Sequence, residues 1–322
     1  MFTKFLGIAT NSLTETVRQP IYGILLLAST FVLVLNLGLA GYTFDDDNKL
    51  LKDLSLSTML VCGLFLAAFS AAGVLSREIE NKTVLTVVSK PVGRPVFILG
   101  KFAGLSGALA IAYYLNGIVF LLTMRHKVMS RSSDHFDVPV IVFGCAAFFT
   151  TLLIAALCNY LYDMQFSSTS VTISIPLMTL ALVLVCLIGP TWEIQQFGKD
   201  FIDGQIIGAV ALVFAMVMIA TAVAVAVSTR LGQVATLAIC TLVLMIGLAS
   251  DYLFGQLRDT SLLARFAYWL SPNLAFLWVA DALTQNNRIT APYVGMAFGY
   301  AMLIVLAWLL IAVALFQKRE VG

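Results

Sequence analysis

Long apolar stretches separated by short polar segments form the dominant pattern of this sequence. A helix needs about 20 mostly apolar residues to cross the hydrocarbon core of a membrane. Eight stretches qualify, at about residues 20–42, 55–75, 102–123, 138–160, 171–190, 206–228, 234–254 and 293–316. Each is predicted to be a helix, because an irregular backbone in lipid leaves unpaired amide groups. The pattern predicts an all-α integral membrane protein, a polytopic helical bundle of about eight transmembrane helices.

The polar head of the chain also carries apolar residues at helical spacing. Phe5, Ile8 and Ala9 fall on one face of a helix. Residues 3–17 are therefore predicted to form an amphipathic helix in the inner membrane interface, which Pro20 breaks before the first span. The alternative is a frayed terminus.

Composition supports a chain that is solvated mostly by lipid. Hydrophobic residues make up 60% of the 322 residues and charged residues 11%. Soluble domains hold roughly 45–50% apolar and ~25% charged residues, so this chain carries too few charges to cover a water-exposed surface. The net charge of +2 does not indicate a nucleic-acid partner. The five cysteines stand in or beside apolar stretches without close spacing, which favours packing over disulfides or metal ligands.

The distribution of basic residues indicates an orientation. Residues 76–101, between the second and third spans, hold a dense cluster of Lys and Arg, whereas the first outer loop begins with Asp45, Asp46 and Asp47. Positively charged loops remain on the cytoplasmic side. We expect a multi-pass protein of the inner cell membrane with both termini in the cytoplasm.

The charged stretch between the second and third spans has a helical pattern of its own. Glu78 and Lys82 are four residues apart in the favourable order, and Val84 and Val87 continue an apolar stripe. Pro91 ends this helix, because the residue before a proline avoids the α region. The pattern predicts a short helix over residues 77–89, lying across the inner face of the membrane.

The same stretch resembles the signature of ABC-2 type permeases, the membrane subunits of a class of ATP-driven transporters. The matching residues, in order, are Arg77, Glu78, Glu80, Thr83, Ser89, Lys90, Pro91, Arg94, Gly100 and Lys101. The amphipathic head, the turn at 228–237, the segment 270–283 and the tail 316–320 are also similar to the family pattern. Such permeases usually have six spans, so the resemblance implies that the hairpin at about 138–190 is an insertion.

By this resemblance, the loop of residues 77–95 is a coupling loop that docks on a separate ATPase subunit. The acids would pair with cations of the partner, the valines would fill an apolar cleft, and the basic residues would contact partner acids or anionic lipid headgroups. The candidate coupling residues are Arg77, Glu78, Glu80, Lys82, Thr83, Val84, Val87, Lys90, Pro91, Arg94 and Lys101. The alternative is a solvated loop that its positive charges hold inside.

The outer segment, residues 256–291, is rich in aromatic residues, which gather at membrane–water interfaces. Two short interfacial or re-entrant helices are predicted there. In the resembling family this region closes the outer gate, and the alternative is a simple interfacial anchor. The candidate residues are Phe266, Trp269, Pro272, Asn273 and Trp278.

The sequence lacks the motifs of an ATPase. A P-loop needs a Ser or Thr after its Gly-Lys pair, but Phe102 follows Gly100 and Lys101. We therefore expect no enzymatic activity and no cofactor in this chain, with ATP and Mg²⁺ bound by the partner. His126 and His135 share an outer loop with two acids, where a metal site and simple solvation are the alternatives.

The predicted spans are nearly free of ionisable residues, which argues against a proton- or sodium-coupled carrier. Asn36, Asn116 and Thr151 are polar but uncharged. They either line a route for lipid-like or amphipathic cargo or bond one helix to another.

Taken with the resemblance, residues 1–322 are predicted to be one transmembrane permease domain of an exporter. Its expected partners are two copies of a separate ABC ATPase, a second permease subunit of the same or another kind, and membrane lipid, but no nucleic acid. The alternative is the membrane component of an ATPase-driven envelope assembly or mechanical complex. A membrane enzyme is a third reading, which no motif supports.

Overall fold

The computed structural model describes residues 2–41, 47–80, 93–129, 135–198, 204–256, 262, 265–266, 268, 271–285 and 287–317. Its α-helices are α1 (Phe2–Arg18), α2 (Pro20–Ala40), α3 (Asp47–Glu80), α4 (Arg94–His126), α5 (Val138–Tyr162), α6 (Phe166–Leu187), α7 (Gly204–Ser228), α8 (Gln233–Leu248), α9 (Ala280–Thr284) and α10 (Ala291–Gln317). A π-helical turn at Asp251–Gly255 and a 3-10 turn at Ala275–Leu277 follow α8. In the described residues the only β-pairing is an isolated bridge between Ile188 and Ile194.

Seven of these helices are long and apolar enough to cross a membrane, namely α2, α3, α4, α5, α6, α7 and α10. An all-α, multi-pass membrane protein is thereby confirmed. The eighth predicted span coincides with α8, which has 16 residues. At ~1.5 Å per residue, α8 covers ~24 Å, less than the ~30 Å of a typical hydrocarbon core.

Helices α3 and α4 are longer than the spans predicted for them. Helix α3 has 34 residues and runs through position 77, where a separate helix was expected to begin. Polar residues alone do not end a helix, and the first proline after residue 75 is Pro91. Residues 77–80 therefore continue α3, and residues 94–95 already belong to α4. The rest of the predicted helix, residues 81–89, and residues 90–92 of the coupling loop lie outside the described residues.

The core of the bundle is formed by α3, α4 and α7. In their most apolar stretches 67%, 61% and 72% of residues are buried, against 28% in α2 and 22% in α5. Helix α7 is apolar all round, as expected of a helix enclosed by others. It packs against α3 and α10. Both helices that flank residues 81–92 thus belong to the core.

The predicted hairpin at about 138–190 is present as α5 and α6, which pack against each other at the edge of the bundle. The turn between them contains Asp163 in a left-handed conformation, with φ 52°. Asp tolerates this conformation better than most residues. Helix α6 also contacts α4, α2 and α1, so the hairpin leans on the side of the bundle where the chain begins.

The bundle has two ends, which we name the α1 end and the far end. The α1 end contains α1, the start of α4 and the end of α10, since Arg94 bonds to the carbonyl of Gln317. The far end contains the end of α4 and the start of α5, joined by Arg125 and Asp137. Helix α8 leaves the turn at the α1 end and reaches the far end, where the amide of Leu274 bonds to the carbonyl of Gly247.

Candidate coupling region and outer segment

The coupling region lies at the α1 end, around the two helices that flank residues 81–92. The structure places the backbone of Arg77, Glu78 and Glu80 on the last turns of α3. Arg94 opens α4, and Lys101 lies two turns further on. The other predicted coupling residues lie outside the described residues: Lys82, Thr83, Val84, Val87, Lys90 and Pro91.

Arg94 ties the start of α4 to the end of α10. Its Nη1 donates to the backbone carbonyl of Gln317 at 2.7 Å. In the turn between α7 and α8, Arg230 Nη2 donates to the carbonyl of Leu315 at 2.8 Å. Two guanidinium groups therefore satisfy carbonyls in the last turn of α10, where the helix dipole favours positive charge. Sequence reasoning missed the role of Arg230, although its place in the turn between two apolar helices was visible.

The sequence predicts Lys101 at the end of an accessible loop, but the residue lies within α4. Only 1% of this residue is exposed. Its Nζ lies 3.5 Å from a carboxylate oxygen of Glu15 on α1 and 5.7 Å from the centre of the Phe97 ring. A buried lysine needs such partners, because an uncompensated charge is costly away from water. Lys101 is therefore a link between α4 and α1, and its contribution to coupling stays a prediction.

Helix α1 is confirmed, one residue longer at each end than predicted. It packs closely on a face of α4 that carries glycines four and three residues apart, Gly100, Gly104 and Gly107. A β-carbon at Gly100 would lie 2.8 Å from Ile8, and one at Gly104 would lie 2.5 Å from the β-carbon of Ser12. These contacts explain the glycines, since only a residue without a side chain permits this approach. Helix α1 thus packs along α4 at the α1 end.

The outer segment is anchored to the far end by a polar cluster. Asp251 Oδ1 accepts hydrogen bonds from Asn273 Nδ2 at 2.8 Å and from the Tyr268 hydroxyl at 2.9 Å. The Asn273 backbone amide donates to the Tyr300 hydroxyl at 2.8 Å. The π-helical turn places Asp251 in this position. Such turns occur frequently at functional sites.

Of the residues predicted for the outer gate or interface, Asn273 is buried, whereas Phe266 is 70% exposed. The backbone carbonyl of Pro272 lies against Gly247, and Trp278 packs partly buried against the core. Trp269 lies outside the described residues. The two short helices expected here correspond to the 3-10 turn and α9, whose residues Leu277 and Leu283 are buried. The described residues of the 3-10 turn and α9 thus pack against α3 and α7 of the bundle.

A buried ion pair at the far end was not foreseen. Arg125 Nε donates to Asp137 Oδ2 at 2.9 Å, and both side chains are at least nine-tenths buried. The remaining nitrogens of Arg125 donate to the carbonyls of Val185 and Ile188, at the end of α6. Asp137 also caps α5 by accepting from the amide of Val140. An Asp just before a proline-containing helix start is a sequence signal for such a cap, but its pairing with Arg125 depends on the fold.

His126 and His135 flank the loop between α4 and α5. Among the described residues, no group of three His, Cys, Asp or Glu side chains could hold a metal ion. His126 Nδ1 lies 2.9 Å from the Lys127 carbonyl, and its ring contacts Phe136. Of the two alternatives for this loop, the described residues offer no support for the metal.

Two of the three polar residues noted inside the spans bond one helix to another. Asn116 Nδ2 on α4 donates to Ser29 Oγ on α2 at 2.8 Å. Asn36 Nδ2 on α2 donates to Thr58 Oγ1 on α3 at 3.1 Å. Thr151 donates to the backbone of its own helix. Such bonds stabilise helix packing in lipid, so these groups need no cargo to satisfy them.

In the comparisons with known proteins, no family model matches the chain and no curated protein matches it. The structural findings that bear on function are therefore the helical bundle, the ties at the α1 end and the anchored outer segment.

Proposed function

We propose that this chain is the permease subunit of an ATP-driven transporter of the ABC-2 type, an exporter whose ATPase is a separate polypeptide. The observation that carries the proposal is that the helices before and after residues 81–92 both belong to the core of the bundle. Residues 81–92 connect α3 and α4, two helices of the core, within a stretch that resembles the coupling signature of such permeases. A partner bound to this connection would act directly on the centre of the bundle.

The geometry of α3 supports mechanical coupling. The helix continues without interruption from its apolar part, which ends near Leu75, to Glu80. A continuous helix transmits a displacement along its axis, because each turn is hydrogen-bonded to the next. A force on residues 81–92 is therefore passed into the core through α3 on one side and α4 on the other.

The ties at the start of α4 spread such a displacement to two further helices. Arg94 holds the end of α10, and Lys101 holds Glu15 on α1. Both links lie within about two turns of the start of α4. Movement of the α4 start would consequently shift α1 and α10 together with it.

The interior of the spans fits a transporter whose energy arrives from outside the membrane. The amides of Asn36 and Asn116 are engaged in bonds between helices. No proton or sodium pathway is needed in this mechanism, and a lipid-like or amphipathic cargo suits such a surface. Two ATPase subunits and a second permease subunit complete the proposed assembly.

The proposal is tested by charge reversal on the coupling side, with a matched reversal at the far end. The tagged chain and its Glu80→Arg and Glu193→Arg variants are purified gently from native membranes. We expect a P-loop ATPase to accompany the unmodified chain and the Glu193→Arg variant. The amount of ATPase that accompanies Glu80→Arg should be at least about tenfold lower than with the unmodified chain. The reason is that like charges placed together at an interface cost several kcal/mol.

Glu193 is a suitable control because it is exposed and accepts a hydrogen bond from Thr191 in the turn after α6. Val84→Asp is the second coupling variant, since it places a charge in the predicted apolar stripe. Equal recovery of the ATPase and its activity with Glu80→Arg, Val84→Asp and the unmodified chain would overturn the proposal.

A membrane component of an ATPase-driven assembly or mechanical complex is the second candidate, and the edge hairpin favours it. The tip of this hairpin exposes Tyr160 by 85% and Tyr162 by 72%. Replacing both tyrosines by serine distinguishes the two functions. Loss of a co-purifying protein other than the ATPase, with ATPase binding retained, would support the assembly role, and an unchanged set of partners would contradict it.

A further inference from the structure

A long cleft runs between α2 and the α5–α6 hairpin, with α4 as its floor. It consists of two partly open cavities with volumes of about 460 Å³ at the α1 end and about 790 Å³ at the far end. Both cavities are lined by the same five residues where they meet, which makes them halves of one cleft. The shared residues are Leu27, Thr30, Val119, Phe148 and Met178.

The cleft is as long as a membrane is thick. Its lining on α2 extends from Pro20 at one mouth to Gly41 at the other. At ~1.5 Å per residue this distance is roughly 30 Å, which matches the hydrocarbon core of a bilayer. The cleft is thus long enough to extend from one side of the hydrocarbon core to the other.

The walls of the cleft consist mostly of apolar side chains, and their hydroxyl groups are engaged in hydrogen bonds within the protein. Its hydroxyl groups already donate to nearby backbone or side-chain acceptors: Ser170 to the carbonyl of Ser167, Ser174 to that of Val171, and Thr151 to that of Ala147. Thr30 donates to the side-chain oxygen of Asn116. Because these donors are satisfied, the cleft presents hydrocarbon and methyl surface to an occupant.

Each mouth of the cleft carries a basic side chain. Arg18 lies at the α1 end with the side-chain amides of Asn159 and Gln165, and Lys127 lies at the far end. Arg18 is exposed and forms no ion pair with any described residue. A guanidinium group binds phosphate through two parallel hydrogen bonds. Apolar walls that end in this group suit an amphiphile with a phosphate head.

We propose that this cleft is a binding site for an anionic phospholipid, with an acyl chain between α2 and the hairpin and the phosphate at Arg18. The site goes beyond the proposed ATPase coupling and does not rest on it. A lipid can bind whether or not an ATPase docks, so the two proposals fail independently.

The test measures lipid bound to the purified chain by native mass spectrometry. The protein in mild detergent is titrated with phosphatidylglycerol and with phosphatidylcholine of identical acyl chains. We expect adducts with both lipids and stronger binding of phosphatidylglycerol. Arg18→Gln should weaken phosphatidylglycerol about fivefold, since one basic residue near a membrane surface contributes roughly that factor. Lys4→Gln, on the same helix but away from the cleft, is the matched control and should have no effect.

A second pair of variants tests the acyl-chain part of the site. Gly144→Phe fills the far half of the cleft, where a β-carbon at Gly144 approaches Leu122 no closer than 3.8 Å. Gly299→Phe places the same side chain on α10, in open space outside the cleft. We expect Gly144→Phe to lose most of its bound lipid of both kinds, and Gly299→Phe to bind as the unmodified chain does.

Three results would overturn the proposal. These are lipid binding unaffected by Gly144→Phe, equal affinity for the two headgroups, and a dimer that Gly144→Phe dissociates without loss of lipid. The last result would assign the cleft to a second copy of the chain. Arg18→Gln changes an exposed residue, so its result remains informative even where a variant inside the cleft does not fold.

Discussion

At the scale of single residues, two buried basic side chains in the described part of the chain each lie beside a carboxylate. Lys101 is buried beside Glu15, and Arg125 is buried beside Asp137. A charge removed from water needs a partner and further hydrogen bonds, or it destabilises the fold. The Arg125 guanidinium meets this need with one carboxylate and two backbone carbonyls.

The Lys101–Glu15 pair makes a prediction about stability. Glu15→Gln leaves the buried ammonium without its carboxylate and should lower the free energy of unfolding by about 1–3 kcal/mol, less than for a fully buried pair because Glu15 is partly exposed. Lys101→Met removes the charge and keeps most of the packing volume, so its cost should be smaller. The measurement is thermal unfolding in detergent of the two single variants and the double variant.

The double variant, Glu15→Gln with Lys101→Met, serves as the control for this pair. It should be more stable than Glu15→Gln alone, since it no longer contains a buried ammonium group that has lost its carboxylate. Strictly additive effects of the two substitutions would show that the two side chains do not interact.

At the scale of elements, α1 is held to α4 by shape as much as by charge. The glycine face of α4 lets α1 approach until Ser12 lies against Gly104 and Leu13 against Gly107. Such close contact gains dispersion energy between helices, which is a main source of helix association in lipid. Helix α1 is therefore expected to move as one body with the first half of α4.

Gly104→Ala tests this packing. The added methyl group would lie 2.5 Å from the β-carbon of Ser12, so α1 has to shift. We expect a loss of about 1–3 kcal/mol in stability, the usual cost of overpacking, and faster proteolysis of α1. Gly117→Ala on the same helix is the matched control, because nothing lies within 4 Å of its added methyl group.

The control variant Gly117→Ala should be neutral or slightly stabilising, since alanine favours a helix over glycine by roughly 0.5–1 kcal/mol. A similar response of the two glycines would contradict a specific contact between α1 and α4 at Gly104.

At the scale of the whole molecule, the described chain begins and ends at the same end of the bundle. Helix α1 lies against the start of α4, and Arg94 at that start holds the carbonyl of Gln317. A chain that returns to its starting side crosses an even number of times. With seven long apolar helices, this geometry requires α8 to carry the chain between the two ends.

We predict that both termini lie on the cytoplasmic side. Single cysteines at Lys4 and at position 320, in a background without the five native cysteines, are treated in intact cells with a membrane-impermeant maleimide. Neither should react until the membrane is permeabilised, because the loop with the densest cluster of Lys and Arg, residues 76–101, is expected on that side. As the control, a cysteine in place of Glu193 should react in intact cells. Labelling of only one of the two termini in intact cells would exclude eight crossings.

Much of the fold was predictable because its cause is local. Runs of about 20 apolar residues require helices in lipid whatever their neighbours are. The amphipathic spacing of Phe5 and Ile8, which is also a local property of the sequence, predicted α1. Helix ends were less predictable: the change from apolar to charged residues near position 76 marks where the hydrocarbon ends, and α3 continues to Glu80.

The candidate site was less accessible to sequence reasoning, since its key contacts join distant positions. The signature around residues 77–95 predicted a coupling surface, but Lys101 is a buried partner of Glu15, 86 residues away. Arg230 with Leu315, and Arg125 with Val185, are likewise contacts between different helices. No periodicity within one helix records which side chain of another helix lies opposite it.

The sequence by itself determined that this is a helical membrane protein with a charged connection between its second and third spans, because hydrophobicity and helical periodicity act over short distances. Only the tertiary structure decided which helices form the core, which charges are buried in pairs, and where a lipid-sized cleft remains open. Those properties arise when helices distant in sequence pack side by side, and packing depends on the shapes of both surfaces.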